Sequence, residues 1–305
     1  MFGLPAWDIP RQIAQSGAPQ LILGPAIGIV VTGWYFWQRR AKSAMLSRMW
    51  KSIEEKKQRL DAMRPLGQQT LEALRADFDI RLTYTSNAIE GNTLTLRETA
   101  LILRDGVTVG GKPLKDLFEA VDHFNALQFV RELAEGAKPI GEAEICRIHE
   151  MVMAQSKPDM AGVYSQFQRR IVGSGVVFPN PVKIPALMDE LGVWLSGQPA
   201  APRTAFEAHF RLVAIHPFSD GNGRTARLLM NLILLRDGWP PVEIGPEQRD
   251  TYLNALERRS VAGDGQPYEA LMLERLDAGL DEYLERIEKE VEARLAGPTS
   301  ASPQP

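Results

Sequence analysis

The residues with the densest chemistry run from His216 to Arg227, "HPFSDGNGRTAR". One histidine, one aspartate, a Gly-Asn-Gly turn and two arginines three apart do not suit a packed core. An apolar helix, "RTARLLMNLILLRDG", leaves this stretch and ends at Gly238. The N-terminus of such a helix presents unpaired N–H groups and a partial positive charge. Glycines let an anion come close to those amides. Arg224 and Arg227 share one face of the first turns, and two guanidiniums beside amides suit a di- or triphosphate. Asp220 is a hard oxygen ligand suited to Mg²⁺ on phosphates. His216 is the one group there that exchanges a proton near neutral pH, so it is the candidate general base. Together these residues describe transfer from a nucleotide to a nucleophile, usually a hydroxyl.

Two other chemistries are excluded. No Gly-Lys-Ser/Thr follows the glycines, so this is no P-loop. His209 and His216 are seven apart, and the single cysteine, Cys146, cannot complete a zinc site. Cys146 is also too few for a disulfide framework and reads as a buried thiol. A net charge of −3 and a pI near 5.9 offer no electrostatic footprint for nucleic acid.

The elements that position these residues read as helices almost throughout. Leu71, Leu74, Phe78 and Leu82 recur at three- and four-residue steps. "TLRETALILRDG" opens with a Thr95-x-x-Glu98 capping box and closes at Gly106. Further helices cover "LKDLFEAVDHFNALQFVRELAEG", "GEAEICRIHEMVMAQ", "IPALMDELGVWLSG" and "PRTAFEAHFRLVAI", and the regions around 247–260 and 267–295. "RRIVGSGVVFPNP" breaks the rhythm: β-branched residues flank Gly173-Ser174-Gly175, which predicts a hairpin. The class is all-α with one small hairpin.

The N-terminal part reads differently. "PQLILGPAIGIVVTGWYFW", residues 19–37, carries no charge and matches a bilayer's hydrocarbon thickness as a helix. Aromatics end the run, and Arg39, Arg40, Lys42, Arg48 and Lys51 follow it. This predicts a single-pass anchor at 19–37 after a short segment 1–18. The basic residues then place the remainder in the cytoplasm. Residues 38–67 read as a juxtamembrane helical stalk, 68–290 as the main domain and 291–305 as a disordered tail.

The twelve-residue stretch resembles the signature of the Fic family, H-x-F-x-[DE]-G-N-[GK]-R-x-x-R, at every defined position. "AHFRLVAIHPF", "RLLMNLILLRDGWPP" and "FPNPVKIPALMDELGVWL" resemble the segments around it, so the likeness covers roughly residues 68–290. It implies a compact helical fold with a β-hairpin flap and transfer of AMP from ATP to a Ser, Thr or Tyr hydroxyl of a target protein, with Mg²⁺. On that resemblance His216 is the base and Asp220 holds the metal. Gly221, Asn222 and Gly223 form an anion hole with the Asn222 amide as a side-chain donor, and Thr225 lies along the same turn. Arg224 and Arg227 bind the outer phosphates. Phe218 anchors the loop, and Pro217 and Ser219 are conformational. Tyr252 matches an aromatic position beside the adenine, and Ile171, Val172 and Gly173 in the flap approach the adenosine. His209 is a supporting histidine.

"SNAIEG", Ser86 to Gly91, ends the helix that begins near Gln68, with Gly91 as its C′ residue and Glu90 at the negative end of the dipole. It is similar to [S/T]-x-x-x-E-[G/N], the inhibitory helix of many Fic proteins. That likeness implies that Glu90 pairs with Arg227 and keeps ATP from a reactive pose. The same glutamate can serve instead in hydrolytic removal of AMP, and a nucleotide-gated binding module is a third reading. The protein target, the base preference and a homodimer stay open.

Overall fold

The computed structural model describes residues 25–295 except 172. Ten α-helices are found among them. They are α1 (Pro25–Ala62), α2 (Gln68–Ile89), α3 (Leu96–Asp105), α4 (Leu114–Glu135), α5 (Glu142–Val152), α6 (Ile184–Ser196), α7 (Pro202–Ile215), α8 (Asn222–Arg236), α9 (Arg249–Ala262) and α10 (Gln266–Leu295). The chain divides into two units, 1–45 and 46–305.

In the first unit the membrane anchor is overturned. Among the described residues no helix is long and apolar enough to cross a membrane. Residues 19–24 of the expected span, and segment 1–18, lie outside the described residues. The apolar part of α1, residues 25–37, rises about 20 Å, short of a hydrocarbon core of about 30 Å. The helix then continues without a break through Arg39, Arg40 and Lys42. The single-pass topology and the cytoplasmic orientation fall with the anchor. The tail over 291–305 is described only as far as Leu295, and 291–295 belong to α10.

In the second unit α8 is the central helix. Every residue from Arg224 to Leu234 is buried, including Leu228, Leu229, Leu232 and Leu234. A helix buried on all sides must be surrounded, and α4, α5 and α7 pack around it. The segment expected as a stalk joins this core from Leu46: Ile53 and Leu60 are fully buried, and Trp50 donates from Nε1 to Glu269 Oε1 at 2.9 Å. Apolar positions at 46, 50, 53 and 60 follow the helical repeat, which gives this charged helix one packed face.

α3 begins at the expected Thr95/Glu98 capping box and ends at Gly106 in the left-handed region. It covers a smaller core of Leu94, Ile102, Leu117 and Ala120. A buried Asp79–Arg131 pair, 2.8 Å from Arg131 Nε to Asp79 Oδ1, ties α2 to α4. The predicted hairpin is not a ladder. Among the described residues it is a loop with one isolated bridge, Arg170 to Val177. Its polar groups turn to a side chain instead of a second strand: Glu257 accepts from Gly175 N–H and Ser174 Oγ, each at 2.9 Å.

Candidate active site

The loop 216–221 joins α7 to α8, so both ends are held by buried helices. His216 ends α7 in the left-handed region, φ 51°, an uncommon conformation for a residue with a Cβ. Its ring stacks on Phe178, centroids 4.0 Å apart. Burial lowers its pKa to about 4, although the Val213 carbonyl and the Glu90 charge act the other way. Nδ1 is buried without a fully aligned hydrogen bond, which leaves Nε2 as the nitrogen for a substrate proton. A neutral imidazole at pH 7 is the form a general base requires.

Phe218 is fully buried and stacks on His149 at 3.6 Å, as an anchor should. His149 was not singled out from the sequence. Gly162 N–H donates to its Nδ1 at 3.0 Å, so the ring proton sits on Nε2 and is donated to the Asp220 carbonyl at 3.0 Å. Burial lowers this histidine to about 4 as well, so it stays a neutral strut. The strut lies close under the loop. A Cβ on Gly221, φ 74°, would meet Met153 Sδ at 2.8 Å and His149 Nε2 at 3.2 Å.

Asn222 is not the side-chain donor that the resemblance implied. Its Oδ1 accepts from Phe218 N–H at 2.9 Å and its Nδ2 donates to Phe218 O at 2.8 Å. The amide thereby locks the loop onto the helix start, and the donors left for an anion are backbone N–H groups of the first turn. Thr225 is fully buried and its hydroxyl faces the core.

The two arginines have different surroundings. Arg224 is 1% exposed, with Nε and Nη1 lacking any hydrogen bond. Its nearest carboxylates are Glu119 Oε1 at 3.4 Å and Asp220 Oδ1 at 3.6 Å. Arg227 is fully engaged with the last turn of α2: Nε donates to Ser86 Oγ at 3.0 Å, and Nη2 to Ser86 O at 2.9 Å and Glu90 Oε1 at 2.8 Å. Burial alone would lower its pKa, but Glu90 and Tyr252 raise it. Glu90 caps α2 and Gly91 follows in the left-handed region, as expected. The Glu90 carboxylate also lies over the start of α8. A Cβ on Gly223 would collide with Glu90 Oε1 and stand 3.0 Å from Arg227 Nη1.

Asp220 is partly exposed. Oδ1 accepts from Gly221 N–H at 2.6 Å, and Oδ2 binds Lys157 Nζ. Burial would raise its pKa, but Lys157, Arg224 and the Gly221 amide hold it below the usual carboxylate value. Tyr252 is not an open aromatic wall. It is 1% exposed, lies 5.9 Å beneath the Arg227 guanidinium, and its hydroxyl meets His209 Nε2 at 2.8 Å. The Tyr268 hydroxyl donates to Phe206 O at 2.9 Å, so it accepts from His209 Nδ1–H at 2.8 Å. His209 therefore accepts from Tyr252, and the chain has one direction. In the loop after α5, Ile171 is exposed, Gly173 has φ 81°, and Val172 lies outside the described residues. Cys146 is half-buried, with Sγ 3.3 Å from the Tyr164 hydroxyl.

The arrangement is an anion seat at a buried helix N-terminus, with an unsatisfied arginine below it and a neutral histidine at its edge. Solved structures of other proteins share the fold. Residues 139–234 match the Fic/DOC family. The protein adenylyltransferase Fic of Nematostella vectensis is 34% identical over 237 residues, 76% of this chain and 55% of that protein. That of Aedes aegypti is 33% identical over 241 residues, 77% of this chain and 48% of that one. The chain thus spans about half the length of these curated relatives. Fic-1 from C. elegans aligns with a TM-score of 0.76 at 28% identity, covering 88% of this chain and 79% of that chain. A Fic domain containing signaling protein from Bacteroides thetaiotaomicron aligns with a TM-score of 0.70 at 29% identity, covering 78% and 98%. Through the 216–227 loop and the helices that carry it, residues 139–234 belong to the Fic/DOC family.

Proposed function

We propose that this site transfers AMP from ATP to a Ser, Thr or Tyr hydroxyl of a target protein, and that Glu90 holds it inactive. The observation that carries this reading is the Glu90 carboxylate over Gly223 and on Arg227. An internal anion fills the place where a helix N-terminus and an arginine would receive phosphate. The relatives named protein adenylyltransferase support the same chemistry.

In the reaction, His216 Nε2 takes the hydroxyl proton. The hydroxyl oxygen bonds to the α-phosphorus, the bond to the β-phosphate oxygen breaks, and pyrophosphate leaves. Arg224, with free N–H groups, and the amides at the start of α8 stabilise charge on the phosphates. Arg227 joins them only after Glu90 withdraws.

Asp220 is the residue that would hold Mg²⁺. Among the described residues no cluster of three or more His, Cys, Asp or Glu could hold a metal, so the cation here needs one carboxylate plus phosphate oxygens. The Lys157 ammonium on Oδ2, a cation already at this oxygen, supports the fit. When bound, the metal would neutralise charge on the phosphates.

The test is labelling with an alkyne-ATP analogue and divalent metal. Glu90→Gly should label itself or a target at least about tenfold above wild type, the scale of one charge-assisted hydrogen bond. Adding His216→Ala should abolish labelling but leave nucleotide binding. Equal labelling of Glu90→Gly and wild type would refute autoinhibition. A second reading, hydrolytic removal of AMP, is favoured by one observation: the Glu90 carboxylate stands over Gly223, at the start of the helix that the His216 loop leads into. Loss of AMP from a pre-modified protein, dependent on Glu90, distinguishes it.

A further inference from the structure

Lys157 belongs to no part of the signature, yet it binds the carboxylate of Asp220 in the loop. The two oxygens of Asp220 have separate duties. Oδ1 takes the Gly221 N–H at 2.6 Å and faces Arg224 Nη2 at 3.6 Å, so it is turned into the loop. Oδ2 is the outward oxygen, and Lys157 Nζ covers it. We propose that Lys157 is a resident cation that gates divalent metal loading at Asp220. This rests on the assignment of Asp220 as the metal ligand.

The backbone around Lys157 is held in place. The buried Asp122 carboxylate accepts from Gln155 N–H at 3.0 Å and from Ser156 N–H at 2.9 Å. Lys157 N–H donates to Met153 O at 3.0 Å, and Lys157 O accepts from Met160 N–H at 3.0 Å. The side chain therefore leaves a fixed point, at the end of the turn that follows α5, and reaches Asp220 as its single ion pair among the described residues. Both partners are about one-third exposed, 33% and 35%, so water and ions reach the pair.

An ammonium and a metal ion on the same outward oxygen repel each other and compete for its lone pairs. Mg²⁺ requires near-octahedral oxygen geometry at about 2.0–2.1 Å, which the ammonium blocks. Loading thus requires Lys157 to leave Oδ2. Its flexible four-carbon stem permits that, and the charge then stays beside the incoming phosphates. Without metal, the same ammonium keeps Asp220 ionised and the loop neutralised. A planar, bidentate guanidinium at 157 would hold the carboxylate more firmly, whereas an apolar side chain of similar length would free it.

The experiment uses Mn²⁺ alone, followed by loss of its free-ion EPR signal on titration with the full chain. Lys157→Met should bind Mn²⁺ about two- to fivefold more tightly than wild type, the worth of a partly exposed ion pair. Lys157→Arg should bind more weakly than wild type, and Asp220→Asn should lose the site. Thermal melts without metal confirm that each variant folds. If Lys157→Met binds no more tightly while Asp220→Asn loses binding, the gating role is overturned and the metal assignment stands. If Asp220→Asn binds like wild type, the metal assignment itself is wrong.

Discussion

At the scale of single residues, the site depends on groups whose protonation and hydrogen bonding are set by burial. His216 is neutral down to a pKa of about 4, below its ordinary 6.5, because charging it means desolvating a cation. In Glu90→Gly, kcat/KM for AMP transfer should stay level from pH 8 to about pH 5 and fall only near pH 4. Removing Glu90 deletes a charge that raises the His216 pKa, so the acid limb cannot move upward. A limb near 6.5 would show that His216 is not the base or is solvated in the working enzyme. Asn222 carries a different burden. Its two hydrogen bonds to Phe218 are buried and close the loop. Asn222→Ala should lower stability by about 1–3 kcal/mol in urea unfolding, since it leaves the Phe218 N–H and C=O unpaired.

At the scale of elements, the decisive part is the C-terminal end of α2. It meets two arginines from other segments. Arg227 takes Ser86 and Glu90, and Arg249 Nε donates to Ile89 O at 2.8 Å. Cations at a helix C-terminus satisfy both its unpaired carbonyls and its dipole. Arg249→Met should fray the last turn without touching α8. Hydrogen–deuterium exchange at 86–91 should accelerate while 224–234 stays protected. Labelling should rise above wild type but stay below Glu90→Gly, because the Arg227–Glu90 pair remains. Unchanged exchange would mean that Arg227 alone secures the turn.

At the scale of the whole molecule, all four histidines, the buried His123, His149 and His209 and the half-buried His216, are held neutral by desolvation. Their folded pKa values, about 3 to 4, lie below the unfolded value of 6.5. Between those limits the unfolded chain binds more protons, so stability is full above pH 6.5 and is lost as pH falls. Each histidine contributes on the order of 1–2 kcal/mol at pH 5. Urea midpoints should drop steeply from pH 7 to pH 5. His209→Gln should flatten that slope, at the expense of the Tyr252–His209–Tyr268 chain beneath Arg227. A midpoint independent of pH over that range would contradict the burial of these rings.

What the sequence determined by itself is local. The turn at Gly221, the helix starting beside it, the capping box at Thr95 and the end of α2 at Glu90–Gly91 follow from short-range rules of glycine, caps and dipoles. The Glu90–Arg227 pairing was legible too, but only through resemblance, since 137 residues separate the partners. Tertiary structure decided the rest. A polar side chain's role depends on which neighbour reaches it first. Asn222 closes on Phe218 before any ligand arrives, Tyr252 is covered by Arg227, and Asp220 is met by Lys157. The apolar run before Gln38 carries hydropathy but no information on where its helix stops, and α1 proceeds through the following charges. The Gly173 loop has the composition of a hairpin, yet Glu257 from α9 binds the groups that a second strand would have taken. Periodicity and turn chemistry act over a few residues, whereas competition for a hydrogen bond is settled by atoms that only folding brings together.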